Sequence, residues 1–299
     1  MWATMITPSR RRFLSHAAHT AAAALIAPLL PETARSLPLG GRAGIQLYAV
    51  KDSLAADPAA TLRRIRAIGF LEVETAGFAG LNVSAFRRLV DDSGLAAPSA
   101  HLDFGDPALA FEQAHALGAH YAASGSLRSL IPGTHEGGMT LEEAHRTAEL
   151  ANRLGEQAHR AGLEYVYHNH NFEFVSQGGA IGYDVLIAET DPSLVQFEID
   201  CGWMVIGGRD PRDYFARYPQ RFPMIHVKDF LPAGTGPGHS AAEHPGAELG
   251  HGMLDYRPIF AAAEKAGLRH YFAEQEGPFT RMSQIEAARQ AFDYLRRIR

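Results

Sequence analysis

The chain has 299 residues, 46% of them hydrophobic and 20% charged, with a formal charge of −5, one cysteine and fifteen histidines. This length fits one α/β barrel of about 250 residues with an N-terminal extension, and the composition is that of a globular chain able to bury a sizeable core. Net acidity without a basic stripe argues against nucleic acid as a partner, and the lone Cys201 excludes an intramolecular disulfide.

Ser9-Arg10-Arg11-Arg12-Phe13-Leu14 is followed by an apolar stretch over 17–30 and small residues over 33–36. That order resembles a bacterial twin-arginine export signal. The apolar stretch is short against the ~20 residues of a spanning helix, and no second apolar span follows. Residues 1–40 are therefore read as signal peptide and linker and 41–299 as the barrel domain. The expected location is the periplasm, with no integral membrane span after signal removal.

From there, short apolar strands alternate with amphipathic helices. Strand one is predicted over 44–50. Asp57 caps a helix with Pro58 at its first position, running to Ile68 and closed by Gly69. Strand two is predicted over 70–74, a helix capped by Asn82 over 83–92, strand three over 95–101 and a helix over 107–117. Strand four covers 121–124. A glycine-rich loop over 125–139 leads to a long helix over 140–161, with Thr140 and Glu143 at capping-box spacing. Strand five follows over 163–168, a short helix over 182–190, strand six over 194–200, a helix over 211–218 and strand seven over 224–228. A loop rich in Gly, Pro and His spans 231–253. A helix over 256–266, strand eight over 270–274 and a helix over 283–299 complete the chain. Eight strand–helix repeats predict a parallel sheet closed into a (β/α)8 TIM barrel. An open doubly wound sheet ranks lower, because strand one runs into Lys51-Asp52-Ser53 rather than a glycine-rich phosphate turn.

In such barrels the chemistry lies at the C-terminal strand ends. Those ends carry Gln46, Glu74, His101, His168, Asp200, His226 and Glu274. Core strands normally carry apolar side chains, and buried charge is costly unless paired or bound to metal. Asp200, His226 and Glu274 come from three successive strands and offer the oxygen and imidazole ligands of a divalent ion. A fourth ligand is expected from strand five, where His168 and His170 share one face and Glu173 lies just beyond. The mixed donor set, free of thiols, suits Mn²⁺, Zn²⁺, Co²⁺ or Mg²⁺. Gln46, Glu74, His101 and Trp203 are candidate substrate contacts, Trp203 as an aromatic wall for a sugar ring. Glu72 has the parity of Glu74 but lies deeper, where an arginine is its expected partner. Cys201 alternates away from Asp200 and reads as a buried structural thiol. Asp229 has opposite parity to His226 and is expected in an outward salt bridge, while His239, His244 and His251 are expected in solvent.

These residues bring a family into view. Gly44-Ile-Gln-Leu-Tyr48, Gly69-Phe-Leu-Glu-Val-Glu74, Pro98-Ser-Ala-His101, His168-Asn-His170, Asp200-Cys-Gly-Trp203, His226-Val-Lys-Asp229 and Phe272-Ala-Glu-Gln-Glu276 together resemble the xylose isomerase-like barrels, the sugar phosphate isomerase/epimerase group, over 43–299. The resemblance implies a divalent metal held by Glu, Asp, His and Glu from strands five to eight. Asp200, His226 and Glu274 fit the last three, the strand-eight place being open between Glu274 and Glu276. Where many relatives have Glu-Asn-His this chain has His168-Asn169-His170, so either His168 or Glu173 takes the first place. The implied chemistry is proton removal next to a carbonyl through an enediolate, with His170, Glu173, Lys228 and Glu276 as candidate acids and bases. Epimerisation, aldose–ketose isomerisation and loss of a β-substituent, as in a keto-sugar dehydratase or 3-keto-glycoside eliminase, all follow from that step. Export favours a free sugar, glycoside or keto sugar over a sugar phosphate. A non-catalytic carbohydrate-binding barrel is the reading of another class, and it would have lost the ligand set. A multi-metal nuclease is disfavoured by the acidity. An oligomer is compatible with the sequence.

Overall fold

The computed structural model describes residues 37–131, 137–232, 245–277, 279 and 282–298. The expected signal segment up to residue 36, His239 and His244 lie outside the described residues. Eight strands form the barrel: β1 (Gly44–Gln46), β2 (Glu72–Ala76), β3 (Ala96–Leu102), β4 (Tyr121–Ser124), β5 (Glu164–His168), β6 (Val195–Asp200), β7 (Met224–Val227) and β8 (His270–Ala273). All neighbouring pairs are parallel and β8 closes onto β1. Ten helices surround and cap them among the described residues: α1 (Lys51–Ala56), α2 (Pro58–Ile68), α3 (Val83–Asp92), α4 (Pro107–Leu117), α5 (Leu141–Arg160), α6 (Gly182–Glu189), α7 (Cys201–Ile206), α8 (Pro211–Arg217), α9 (Tyr256–Lys265) and α10 (Gln284–Leu295).

The helix starts follow local chemistry. Asp57 Oδ1 accepts from Ala60 N at 2.8 Å, Asn82 Oδ1 from Ala85 N at 2.9 Å, and Thr140 with Glu143 forms a reciprocal capping box. Two stretches differ from expectation. Strand one stops at Gln46, whose side-chain oxygen accepts from Tyr48 N at 3.1 Å and turns the chain into a 3₁₀ helix over Leu47–Val50. The short α7, absent from the periodicity reading, begins directly at β6, because Asp200 Oδ1 accepts from Trp203 N at 2.8 Å and caps it. Gly202 in that helix has no room for a side chain: a Cβ there would meet Phe230 Cε2 at 2.8 Å and Lys228 O at 3.0 Å.

The barrel interior is filled by Tyr121, Ala123, Val166, Met224 and Phe272, which form their own buried cluster inside the sheet. Alternation places the next inward side chains of the same strands at the C-terminal mouth. Those residues are His168 above Val166, His226 above Met224 and Glu274 above Phe272. The register then sets their height: Asp200 pairs with His226, His226 with Phe272, His168 with Glu198, and Gln46 with Glu74.

Candidate metal centre and pocket

A cavity of about 410 Å³ opens at this mouth, lined by Gln46, Tyr48, His101, His168, His170, Trp203, His226, Lys228, Glu274 and Glu276, among others. Asp200, His226 and Glu274 each place one ligand atom within 4.8 Å of the others, all three buried. His226 Nδ1 lies 2.8 Å from Glu274 Oε2 and 3.9 Å from Asp200 Oδ2. These three atoms make no hydrogen bond. Buried polar atoms are normally satisfied, so a converging orphaned set of this composition fits a divalent ion. Lys228 Nζ stands beside it, 3.0 Å from both Asp200 Oδ2 and Glu274 Oε2 and 2.7 Å from Glu276 Oε1.

His168 is brought to the mouth but into a neighbouring group, with His101, Glu198 and His226. Its Nδ1 is 3.3 Å from Glu198 Oε2. Glu198 escaped the sequence reading. It has the parity of Asp200 in Phe197-Glu198-Ile199-Asp200, and two carboxylates two apart between apolar residues were the available signal. Glu74 is not in the pocket wall as expected of a substrate contact. It is fully buried beneath, accepting from Gln46 Nε2 at 2.8 Å and Ser99 Oγ at 2.5 Å, with His226 Nε2 at 2.6 Å. It therefore orients Gln46 and His226, the carboxylate–imidazole arrangement that fixes a ligand's ring.

Glu173 is likewise not brought into the cavity. Its Oε1 accepts from Tyr167 OH at 2.9 Å and its Oε2 from His170 N at 3.0 Å, because Tyr167 alternates outward from His168 and draws Glu173 behind the strand. Burial pushes its carboxyl up to about 7. His170 does line the pocket; burial, then Lys228, pushes its ring down to about 3, and Nδ1 has no partner. Burial opposes the charge of Lys228, but Asp200, Glu274 and Glu276 hold it above its ordinary range. Two carboxylates share that ammonium unequally: burial pushes Asp200 up to about 6, while Lys228 and His226 overcome burial and hold Glu274 low.

Trp203 is 4% exposed, its ring 5.2 Å from Lys228 Nζ and its indole N–H without a partner. Asp229 corrects the expected outward salt bridge. It is buried and accepts from the backbone N–H of Phe230, Gly250, Gly252 and Leu254, tying the loop after β7 to the barrel. Cys201 is a buried free thiol, as its alternation predicts. Glu72 does pair with an arginine, Arg42, at 3.1 Å.

A closed parallel barrel with carboxylates, imidazoles and a lysine gathered at its C-terminal mouth defines the class: a (β/α)8 barrel with a candidate metal centre at the face where such barrels carry their chemistry. The chain belongs to the xylose isomerase-like TIM barrel family, whose pattern matches residues 62–298. An inosose dehydratase of Lacticaseibacillus casei is 32% identical over 165 residues, covering 52% of this chain and 55% of that protein. The chain thus matches about half the length of that relative. A sugar phosphate isomerase/epimerase of Parabacteroides distasonis is 25% identical, superposes with a TM-score of 0.69, and is covered to 94% by 86% of this chain. A xylose isomerase-like barrel of Mycobacterium smegmatis in complex with magnesium shares the fold at 19% identity, with a TM-score of 0.61 over 89% of this chain and 97% of that one.

Proposed function

We propose that this chain is a divalent-metal-dependent carbohydrate lyase, removing a proton next to the carbonyl of a keto-polyol or keto sugar and expelling a β-hydroxyl or β-alkoxy group. One observation carries the reading: the convergence of Asp200, His226 and Glu274 on one point at the floor of an open pocket, with one ligand atom of each making no hydrogen bond and the Lys228 ammonium beside them. These residues would hold the ion, which when bound supplies Lewis-acid polarisation of a substrate carbonyl. The likeness to inosose dehydratase supports the substrate class and the elimination outcome.

The chain's own side chains divide the remaining work. His170, which lines the pocket and is held neutral by burial, accepts the carbon-bound proton and passes it to the departing β-oxygen, which leaves as water or an alcohol. The Lys228 ammonium faces the oxyanion that develops and stabilises it without moving a proton. Trp203 offers an apolar face and an indole N–H, and Gln46, held by Glu74, offers a fixed amide. Epimerisation needs a second free proton acceptor on the opposite face of the substrate. Among the described residues in the pocket wall, Glu274 and Glu276 are paired to Lys228 and His101 is paired to Glu198, while His168 is buried beside His170 on the same strand end rather than across the pocket from it. That asymmetry favours elimination over the epimerase and isomerase outcomes of the same first step. Export by the twin-arginine-type segment over 9–36 belongs to this reading, since a periplasmic lyase meets free keto sugars and glycosides rather than phosphorylated ones.

The test is a panel of cyclic keto-polyols, 3-keto-glycosides and free ketoses offered to metal-loaded protein in D₂O. Elimination product, with deuterium entering at the carbon beside the carbonyl of recovered substrate, is the expected result. Turnover with neither exchange nor elimination would overturn the reading.

A further inference from the structure

We infer that the mouth of the barrel holds a second divalent cation, liganded by His101, His168 and Glu198, beside the position formed by Asp200, His226 and Glu274. The inference goes beyond the proposed function, which needs only the first ion.

Glu198 Oε2 is the centre of the geometry. It lies 2.8 Å from His101 Nε2, 3.3 Å from His168 Nδ1 and 3.3 Å from His226 Nε2. Ligand atoms around a tetrahedral zinc at about 2.0–2.1 Å are separated by roughly 3.3 Å. Within the proposed ligand set, the His168–Glu198 separation matches that spacing, whereas His101–Glu198 at 2.8 Å is a hydrogen-bond distance that an ion between the two would lengthen. Hydrogen bonding alone leaves the cluster incomplete. His168 Nδ1 and Glu198 Oε1 are buried and have no partner, although His168 is 3% exposed and Glu198 fully buried. The imidazoles are also packed against one another, His101 and His168 edge to face with ring centroids 4.9 Å apart and His168 and His226 tilted with centroids 4.5 Å apart.

Charge points the same way. Glu74, Glu198, Asp200 and Glu274 are all buried within this mouth, and Lys228 is the ammonium among them, reaching Asp200 and Glu274 but not the other two. One ion at the first position leaves Glu74 and Glu198 without a cation of fixed charge. His226 separates the two positions: its Nδ1 faces Glu274 and Asp200, while its Nε2 meets Glu74 at 2.6 Å. It can therefore ligate the first ion through Nδ1 and donate its Nε2 proton to Glu74. The second position keeps two imidazole nitrogens, one carboxylate and an open side toward the cavity, which His101 and His168 both line. That is the donor count of an open tetrahedral site, and its nitrogen content suits Zn²⁺ or Co²⁺, whereas the more oxygen-rich first position suits Mn²⁺ or Mg²⁺ as well.

The test is the metal content and Co²⁺ spectrum of the full chain, stripped of metal and titrated with Co²⁺. Two ions per chain are expected for the unmodified protein, one of them giving the intense visible bands of a tetrahedral nitrogen-containing site. His101→Asn and Glu198→Gln should each lower the content to about one and remove those bands, and Asp200→Asn should lower it to about one while keeping them. Saturation at one ion, with His101→Asn unchanged in content and spectrum, overturns the second position and leaves the first intact. Saturation at one ion that Asp200→Asn does not reduce overturns the proposed function's site instead. The unmodified protein's stoichiometry decides the matter even if a variant fails to fold.

Discussion

The two ends of this barrel both carry buried carboxylates against imidazoles, yet they differ in balance. At the N-terminal end, Glu72 is buried and fully engaged: His270 Nδ1 meets it at 2.7 Å and Arg42 Nη1 at 3.1 Å. Nearby, His120 meets Glu164 at 3.0 Å and Arg269 donates to Tyr121 OH at 3.1 Å. A cavity of about 390 Å³ opens there too, lined by His159, Glu164, Gln196 and Arg269 among others, but no metal-type cluster forms in it among the described residues. At the C-terminal end, Asp200, His226, Glu274, His168 and Glu198 all keep buried atoms without hydrogen bonds. Cavity size and polar strand ends therefore do not distinguish the functional face. What sets the C-terminal mouth apart is a convergence of carboxylate and imidazole atoms without hydrogen bonds, and the proposed ion site rests on that contrast, because a structural ion pair satisfies its partners while a ligand set leaves its valences toward an ion.

Removing the cation should produce the largest effect. Chelation followed by gel filtration should lower turnover by at least about 10³-fold, in the range of a lost electrophilic stabiliser, with recovery on adding Mn²⁺ or Co²⁺. Unchanged turnover in the stripped protein would erase the contrast between the two ends. Next, His170→Asn should lower kcat by about 10²–10⁴-fold, the scale of a lost general base, while metal content stays at the unmodified value. A loss of metal in that variant would make His170 a ligand rather than a base.

Glu173 sharpens the comparison from the outer wall of the mouth. Burial raises its carboxyl to about 7, so the fold favours the protonated form. Its contribution is complete below about pH 4.5 and is lost as pH rises toward 7, worth about 3 kcal/mol at order of magnitude. Urea unfolding of Glu173→Gln should accordingly show a flatter stability–pH curve than the unmodified protein over pH 5–7.5. Parallel curves would mean that Glu173 is already ionised in the fold. The smallest effect is expected at the other end. Glu72→Gln should cost about 1–2 kcal/mol of stability, discounted because Arg42 is largely exposed, with kcat unchanged. A large loss of kcat there would show that the two ends are coupled.

The barrel was legible because its signals are local. Proline, aspartate and glycine punctuate the helices, and the strands carry inward apolar residues at period two. Every predicted strand is present, with bounds shifted by a few residues, and strand one is shortened by the cap that Gln46 makes. The convergence of Asp200, His226 and Glu274 followed from strand parity alone. What parity could not show was depth or side-chain competition. Glu74 lies level with Gln46 in the register but is covered by the Gln46, Ser99 and His226 side chains bonded to its carboxylate, and Glu173 is drawn behind β5 by Tyr167. Asp229 finds its partners in the amide of its neighbour Phe230 and three backbone amides of a distant loop, which no spacing in the sequence reveals. Glu198 was missed for the opposite reason, since its place depends on which imidazoles face it from β3, β5 and β7.

The most direct measurement is the metal content of Asp200→Ala and His226→Ala, each purified as a folded barrel by circular dichroism and saturated with Mn²⁺ alongside the unmodified chain. Both variants should lose an equivalent of bound ion together with turnover. Two folded variants that retain the full complement would place the ion elsewhere and contradict the central claim.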